Sequence, residues 1–246
     1  MQATLDMIGR RVLVTGAAGA IGAAIARAFA DCGAAVTALD ATAGPGVTAC
    51  DVTDEAAVEA AFDAVGEAAG GPVTDVVHAA GVVAIVPVAE QSVAEFRRVI
   101  DVNLTGSFLV ARAAARRLTA GGTLTFVSSQ AGFKTGALWG AYGASKAGVN
   151  RLVDALAEEL GPAGVRVNAV CPGTVRSAML ERAVPAIAAR QGRNPATVAE
   201  RYRAGIPLGR FAEPEEIASV CVFLASDHAG YMTGALVPID GGELSR

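Results

Sequence analysis

Charge is thin in this chain of 246 residues: 18% of positions are charged and the formal net charge is −4. No run of Lys or Arg supplies the basic stripe that a phosphate backbone requires, so no nucleic-acid partner is expected. Long apolar runs are missing too. None approaches the roughly 20 residues of a membrane span, and no membrane partner is expected. Residues 1–11 lack the apolar core of a signal peptide, which makes the cytoplasm the expected location. Histidine is scarce, with only His78 and His228. That leaves little material for a His-based triad or a metal site, and no metal is expected. The four cysteines, Cys32, Cys50, Cys171 and Cys221, lie too far apart for a zinc pair. They read as small buried hydrophobes kept reduced. Aromatics make up 5% of the chain, so the core should be mostly aliphatic.

Small apolar residues are what the chain has in quantity. Hydrophobic positions reach 52%, much of it Ala, and 29 glycines punctuate them. A chain of this length can bury about 75% of its unfolded surface without a metal or disulfide staple. Short β-rich runs at 11–15, 34–39, 47–50, 73–78, 123–127, 165–170 and 235–239 alternate with Ala-rich helical stretches. The helices are read at 21–32, 54–69, 93–118 (bent near Asn103), 141–160, in parts of 177–204, and at 213–225. Thr53 or Asp54 is the expected cap of the second, and Pro172-Gly173 should stop the sixth strand. This alternation predicts the α/β class: one doubly wound domain over 1–246, with a mostly parallel seven-stranded sheet covered by helices on both faces. Between Asp40 and Asp51 the segment Ala41-Thr42-Ala43-Gly44-Pro45-Gly46 is too short and too broken for a crossover helix. A loop is expected there, leaving part of one sheet face thinly covered.

The first strand runs into Thr15-Gly16-Ala17-Ala18-Gly19-Ala20-Ile21-Gly22. A tight turn, a backbone that approaches a pyrophosphate, and a helix packed on the sheet each favour residues without a Cβ. The helix start then offers free N–H groups and a partial positive charge to phosphates. A plain strand–turn–helix is the bland alternative. Asp40 ends the second strand, 18 residues after Gly22. An acid there accepts hydrogen bonds from ribose hydroxyls and repels a 2′-phosphate. No Arg or Lys lies in the turn or directly after Asp40, so the expected cofactor is NAD rather than NADP.

Tyr142 and Lys146 stand four apart, on one face of a helix. A free phenol, with a pKa near ~10, is a poor base at neutral pH. An ammonium ~4 Å away at an effective dielectric of ~20 is worth about 4 kcal/mol, enough to lower a pKa by roughly 3. The pair could therefore supply a base that a lone tyrosine cannot, although surface residues at this spacing are common. Ser129 and its neighbour Ser128 follow the strand at 123–127. Either hydroxyl could meet a substrate oxygen at the strand's carboxyl end, and spacing does not choose between them.

Taken in order, these pieces resemble the short-chain dehydrogenase/reductase family, in its compact single-domain branch, over nearly the whole chain. The turn from Thr15 to Gly22 fits that family's Gly-x-x-x-Gly-x-Gly, with Gly16, Ala18, Ala20 and Ile21 beside the cofactor. Tyr142 and Lys146 fit its Tyr-x-x-x-Lys signature. The resemblance places the catalytic Ser on Ser129 and the catalytic Asn on Asn103. It implies that Asp51 and Val52 flank the adenine, that Ala79, Ala80 and Gly81 line the cofactor, and that Pro172 and Gly173 turn beside the nicotinamide. Val175 and Ser177 would hold its carboxamide. The implied reaction moves a hydride between NAD and a secondary alcohol, with Tyr142 as acid/base. Ser129 would orient the substrate oxygen, Lys146 would hold the ribose and lower the tyrosine pKa, and Asn103 would anchor a relay water. One departure stands out: His78-Ala79-Ala80-Gly81 replaces the family's Asn-Asn-Ala-Gly, and a structural role for His78 is expected.

Residues 175–210 fall where this family keeps its substrate lid. Met179 there, with Gln130 and Trp139, is a candidate pocket liner. The lid's seven arginines read mostly as a solvated face. A small-molecule substrate is expected: a small alcohol, polyol or cyclic ketone, with a 3-oxoacyl thioester as the alternative. A non-catalytic NAD-binding protein is the reading from another class. The helices at 93–118 and 141–160 resemble those that build homotetramers in this family.

Overall fold

In the computed structural model, residues 5–68 and 71–245 are described. Seven strands form one wholly parallel sheet: β1 (Arg11–Thr15), β2 (Ala35–Asp40), β3 (Val47–Ala49), β4 (Asp75–His78), β5 (Thr123–Val127), β6 (Arg166–Pro172) and β7 (Leu236–Ile239). Their spatial order is β3-β2-β1-β4-β5-β6-β7. The order reverses between β1 and β4, and the carboxyl ends of the strands flank the crevice that opens there. Side-chain alternation on β1 divides the core. Val12 and Val14 point to one face, where they join Ile25 and Phe29 of α1 (Ala20–Asp31). Leu13 points to the other, with Val58 and Phe62 of α2 (Glu55–Ala68).

Both faces carry helices. On the first, α1 packs against α8 (Pro214–Ala225) through a cluster that includes Ile217, Val222 and Leu224. On the second lie α2, α4 (Gly106–Ala115) and α5 (Gly140–Leu160). The helix expected at 93–118 is three pieces: α3 (Val93–Ile100), one π-helical turn at Asp101–Thr105, and α4. The expected bend near Asn103 is this π turn. Asp54 caps α2 by accepting from the N–H groups of Ala56 and Ala57.

Two expectations about β2, β3 and β6 meet different outcomes. The chain crosses from β2 to β3 without a helix, and β2 keeps a single fully buried residue, Leu39. The sixth strand, however, does not stop before Pro172. It runs through it, pairing Cys171 with Pro238 and Pro172 with Ile239. A proline is tolerated there because it is the strand's last residue, and Gly173 N–H continues the contact to Ile239 O at 3.0 Å.

At the opposite end of the sheet, Asp75 is fully buried and held by Thr123 Oγ1 at 2.6 Å, Thr74 Oγ1 at 2.8 Å and Arg10 at 3.4 Å. Burial pushes its carboxyl above the usual range, against the pull of Arg10 and both hydroxyls.

Candidate active site

Beyond β1 the chain turns through Gly16, whose φ is +70°. A Cβ there would lie 2.6 Å from the backbone of Ala79 and Ala80, so only glycine lets the turn after β1 meet the one after β4. A Cβ on Gly22 would strike the Gly16 carbonyl. Gly19 is the N-cap of α1 and has no side chain to satisfy the helix's first N–H groups. Those groups face outward through Ala18, Gly19 and Ala20, all exposed. This is a cradle a Cβ would fill, and it fits the pyrophosphate of a dinucleotide. Asp40 Oδ2 accepts from Ala18 N–H at 3.0 Å, which fixes the carboxylate at the rim of the cradle.

Next to the cradle opens a cavity of about 600 Å³. Ser129, Tyr142 and Lys146 all line it, together with Ile21, Ala79, Gly81, Pro172, Gly173, Val175, Ser177, Gln130, Trp139 and Met179. Asn103, Ala80, Asp40, Asp51 and Val52 do not. Asp51 is exposed and accepts from Thr53 N–H and Oγ1, while Val52 is buried.

The fold separates the two serines that spacing left equivalent. Both line the cavity, but Ser128 Oγ is buried and already spent, donating to Asn150 Oδ1 at 2.6 Å. Ser129 Oγ caps a short turn, accepting from Ala131 N–H at 3.1 Å, and its hydroxyl acts on the Tyr142 phenol, favouring the ionised form. Tyr142 lies in the first turn of α5, with Lys146 one turn further along. Lys146 Nζ is buried, donates to Val127 O at 2.8 Å, and stands 5.9 Å from the centre of the Tyr142 ring. Burial pulls Lys146 down to about 8. Burial also raises the Tyr142 phenol, against the pull of Ser129, and Lys146 is not among the groups that move it.

Asn103 sits on the π turn, fully buried. Its Oδ1 accepts from Val82 N–H at 2.8 Å, and its Nδ2 donates to Val82 O at 2.9 Å and Ser145 Oγ at 3.0 Å. Ser145 Oγ in turn donates to Tyr142 O at 2.7 Å. The Asn103 side chain thus ties the segment after β4 to the turn of α5 that carries the tyrosine. Ser177 Oγ accepts from Leu180 N–H, capping α6 (Ala178–Gln191), and donates to Val175 O. His78 Nδ1 lies 2.8 Å from Thr15 Oγ1, while its buried Nε2 has no partner among the described residues. Burial, aided by Lys146, pulls this imidazole down to about 3, so it stays neutral. Thiolate chemistry has no foothold nearby, since burial pushes Cys171 up to about 12.

A family model described as enoyl-(acyl carrier protein) reductase matches residues 16–243. The chain belongs to the short-chain dehydrogenase/reductase family. D-threitol dehydrogenase of Mycolicibacterium smegmatis is 38% identical over 251 residues, covering 95% of this chain and 92% of that one. Trans-4-hydroxycyclohexanecarboxylate dehydrogenase of Sinomonas cyclohexanicum is 40% identical over 171 residues, 68% of this chain and 59% of its relative. Ligand-free aldohexose dehydrogenase of Thermoplasma acidophilum superposes with a TM-score of 0.88 at 29% identity, over 98% of this chain and 96% of that one. Short-chain dehydrogenases/reductases are oxidoreductases that generally use NAD(P).

Within this short-chain dehydrogenase/reductase the cavity has further walls that the sequence did not single out. Lys134, Thr135, Arg201, Tyr202 and Glu243 line it as well. Trp139 and Tyr202 pack against one cluster around Ile187 and Val198, and the Trp139 ring meets Tyr142 edge-on at 5.8 Å. Tyr202 belongs to α7 (Pro195–Gly205), so α7 shares a cluster with the tryptophan that meets Tyr142. The signal available in the sequence was the density of arginines at 175–210, which without a fold reads as solvated surface. Among the described residues no helix is long and apolar enough to cross a membrane, and no His/Cys/Asp/Glu group could hold a metal ion.

Proposed function

We propose that this chain is an NAD-dependent dehydrogenase/reductase that interconverts a secondary alcohol and a ketone, with Tyr142 as acid/base. The convergence of Ser129, Tyr142 and Lys146 on one cavity beside the glycine cradle carries this reading. When bound, NAD supplies the hydride acceptor at the nicotinamide. The chain does the rest. Gly16, Ala18, Ala20 and Ile21 present backbone to the pyrophosphate, and Asp40 takes the adenosine ribose hydroxyls. Asp51 and Val52 flank the adenine. Ala79, Ala80, Gly81, Pro172, Gly173, Val175 and Ser177 surround the nicotinamide end.

Ser129 Oγ holds the substrate oxygen against the Tyr142 phenol. Tyr142 takes the hydroxyl proton in oxidation and returns it in reduction. Lys146, buried on the same helix face, holds the ribose and relays the proton outward, and Asn103 anchors the relay while fixing the backbone of both sides. Residues 175–210 act as the substrate lid. Gln130, Trp139 and Met179 touch the substrate. Polyol and ring-alcohol relatives favour a small alcohol, whereas the family model's description favours the acyl-thioester alternative. A cytoplasmic homotetramer, joined through α4 and α5, is the working form we infer.

The test is Tyr142→Phe, assayed by NADH absorbance over a panel of secondary alcohols with NAD and with NADP. Turnover should fall by at least about 10³-fold, with NAD affinity within about threefold of wild type. Retained turnover removes Tyr142 from its role, and a clear NADP preference removes Asp40 from its own.

A further inference from the structure

Seven arginines crowd the segment 175–210, and most have a counter-ion. Arg176 pairs with Glu213 at 2.7 Å, Arg190 with Glu90 at 2.7 Å, Arg203 with Glu200 at 2.5 Å and Arg210 with Glu216 at 2.6 Å. Arg182, Arg193 and Arg201 have no carboxylate within ion-pair distance among the described residues. Of those three only Arg201 lines the cavity. Lys134, on the loop between β5 and α5, lines it too, is exposed, and is likewise unpaired among the described residues. One carboxylate faces the same space: Glu243, which acts on the Tyr202 phenol in opposition to Arg201. Its Oε2 is buried away from water. Two accessible cations therefore stand against one partly buried anion. The same cavity has an apolar wall, built from Met179, Val184 and Ile187 of α6 and from Trp139. A ligand that fills this space meets hydrocarbon from α6 and Trp139 and the unspent positive charge of Arg201 and Lys134, in the cavity that Tyr142 also lines.

We propose that the substrate is a small secondary alcohol bearing a carboxylate, and that Arg201 and Lys134 bind that carboxylate at the cavity rim. The assignment rests on the oxidoreductase reading above for the alcohol, while the anion site stands on the unpaired cations. Arg201 supplies a two-pronged donor suited to a carboxylate, and Lys134 a point charge from the opposite loop. Closing the lid over such a substrate brings α7 to the acid while the hydroxyl meets Ser129 and Tyr142. The spacing between acid and alcohol then selects which ring or chain position is oxidised.

Binding separates this proposal from turnover. Trp139 is the only tryptophan of the chain and lines the cavity, so its fluorescence reports occupancy. The NADH-loaded protein is titrated with cyclohexanecarboxylate and with cyclohexanecarboxamide, which match in shape and differ in charge. The acid is expected to bind at least about tenfold more tightly, the usual size of a charged hydrogen-bonded contact. In the double variant Lys134→Gln/Arg201→Gln that advantage should shrink to about threefold or less. Both side chains are exposed, so the fold should survive, and far-ultraviolet circular dichroism checks it. Raising salt from low to high ionic strength should erode the advantage in the unmutated protein as well.

Equal affinities for acid and amide, or an advantage that survives the double variant, overturn the proposal. So does tighter competition by butyryl-CoA that is lost in the same variant, since that would assign the cations to a thioester carrier. Failure of every secondary alcohol to turn over with NAD strikes the oxidoreductase reading instead and leaves the acid-against-amide comparison standing.

Discussion

His78 is a buried base with one nitrogen spent on Thr15 and the other unpartnered among the described residues. Its ring also packs edge-on against Phe126 at 6.0 Å, so it cannot move to find water without opening the core. Folded, it resists a proton until about pH 3; unfolded, it takes one near 6.5. A lowered folded pKa means the unfolded chain binds the extra proton between those values. The contribution of His78 is therefore full above about 6.5 and is lost as pH falls from there toward 3. From pH 6.5 to 5 the raised carboxyl of Asp75 works in the opposite sense, so the histidine's share is read as the difference between the native chain and a His78 variant. Chemical denaturation over that range is expected to show the native chain losing more stability toward acid than His78→Gln. An unchanged slope in the variant would move the effect elsewhere. The same residue shows where one-letter reading stops: the departure at His78 was visible in the sequence, but its partner Thr15 lies 63 positions away on a neighbouring strand.

At the scale of elements, the meeting of the β1 and β4 turns governs cofactor binding. Gly16 combines a positive φ with a backbone approach that leaves no room for a methyl group. Gly16→Ala should strain the turn and push the β4 loop away. The expected result is a loss of about 1–3 kcal/mol of stability and at least a tenfold loss of NAD affinity, read by thermal unfolding with and without NAD. An alanine variant that binds NAD normally would contradict the close approach. The glycine spacing, the Tyr142–Lys146 pair and the missing crossover at 41–46 were all legible from local pattern, because each is set by neighbours within one turn or one loop. Three features were not. Ser129 was told from Ser128 by the family resemblance, because local spacing left the two equivalent. Asn103 earns its place through Val82 and Ser145, contacts made across elements. The cations at the cavity rim come from a loop before α5 and from α7, which only the closed fold brings to one space.

Across the whole molecule, α5 carries Tyr142 and Lys146 toward the cavity, while other positions of α5 and of its neighbour α4 are left to solvent in the single chain. There α4 exposes Phe108 at 46%, a large hydrophobe with the Arg112 guanidinium 5.5 Å above its ring. Arg112 is itself held by Glu55 of α2, so the aromatic face is fixed rather than loose. On α5 the outward positions include the small residues Ala144 and Ala155, which let another helix approach closely. An aromatic anchor beside a small-residue face suits a second copy of the same helices, because a twofold axis lets each Phe108 meet the partner's small positions. Association would also brace the helix that carries Tyr142 and Lys146. Sedimentation velocity at micromolar concentration should give a tetramer for the native chain. Phe108→Glu should give dimers or monomers, with specific activity falling on dilution. A native monomer removes the assembly altogether, whereas an unchanged mass for Phe108→Glu moves the interface off α4.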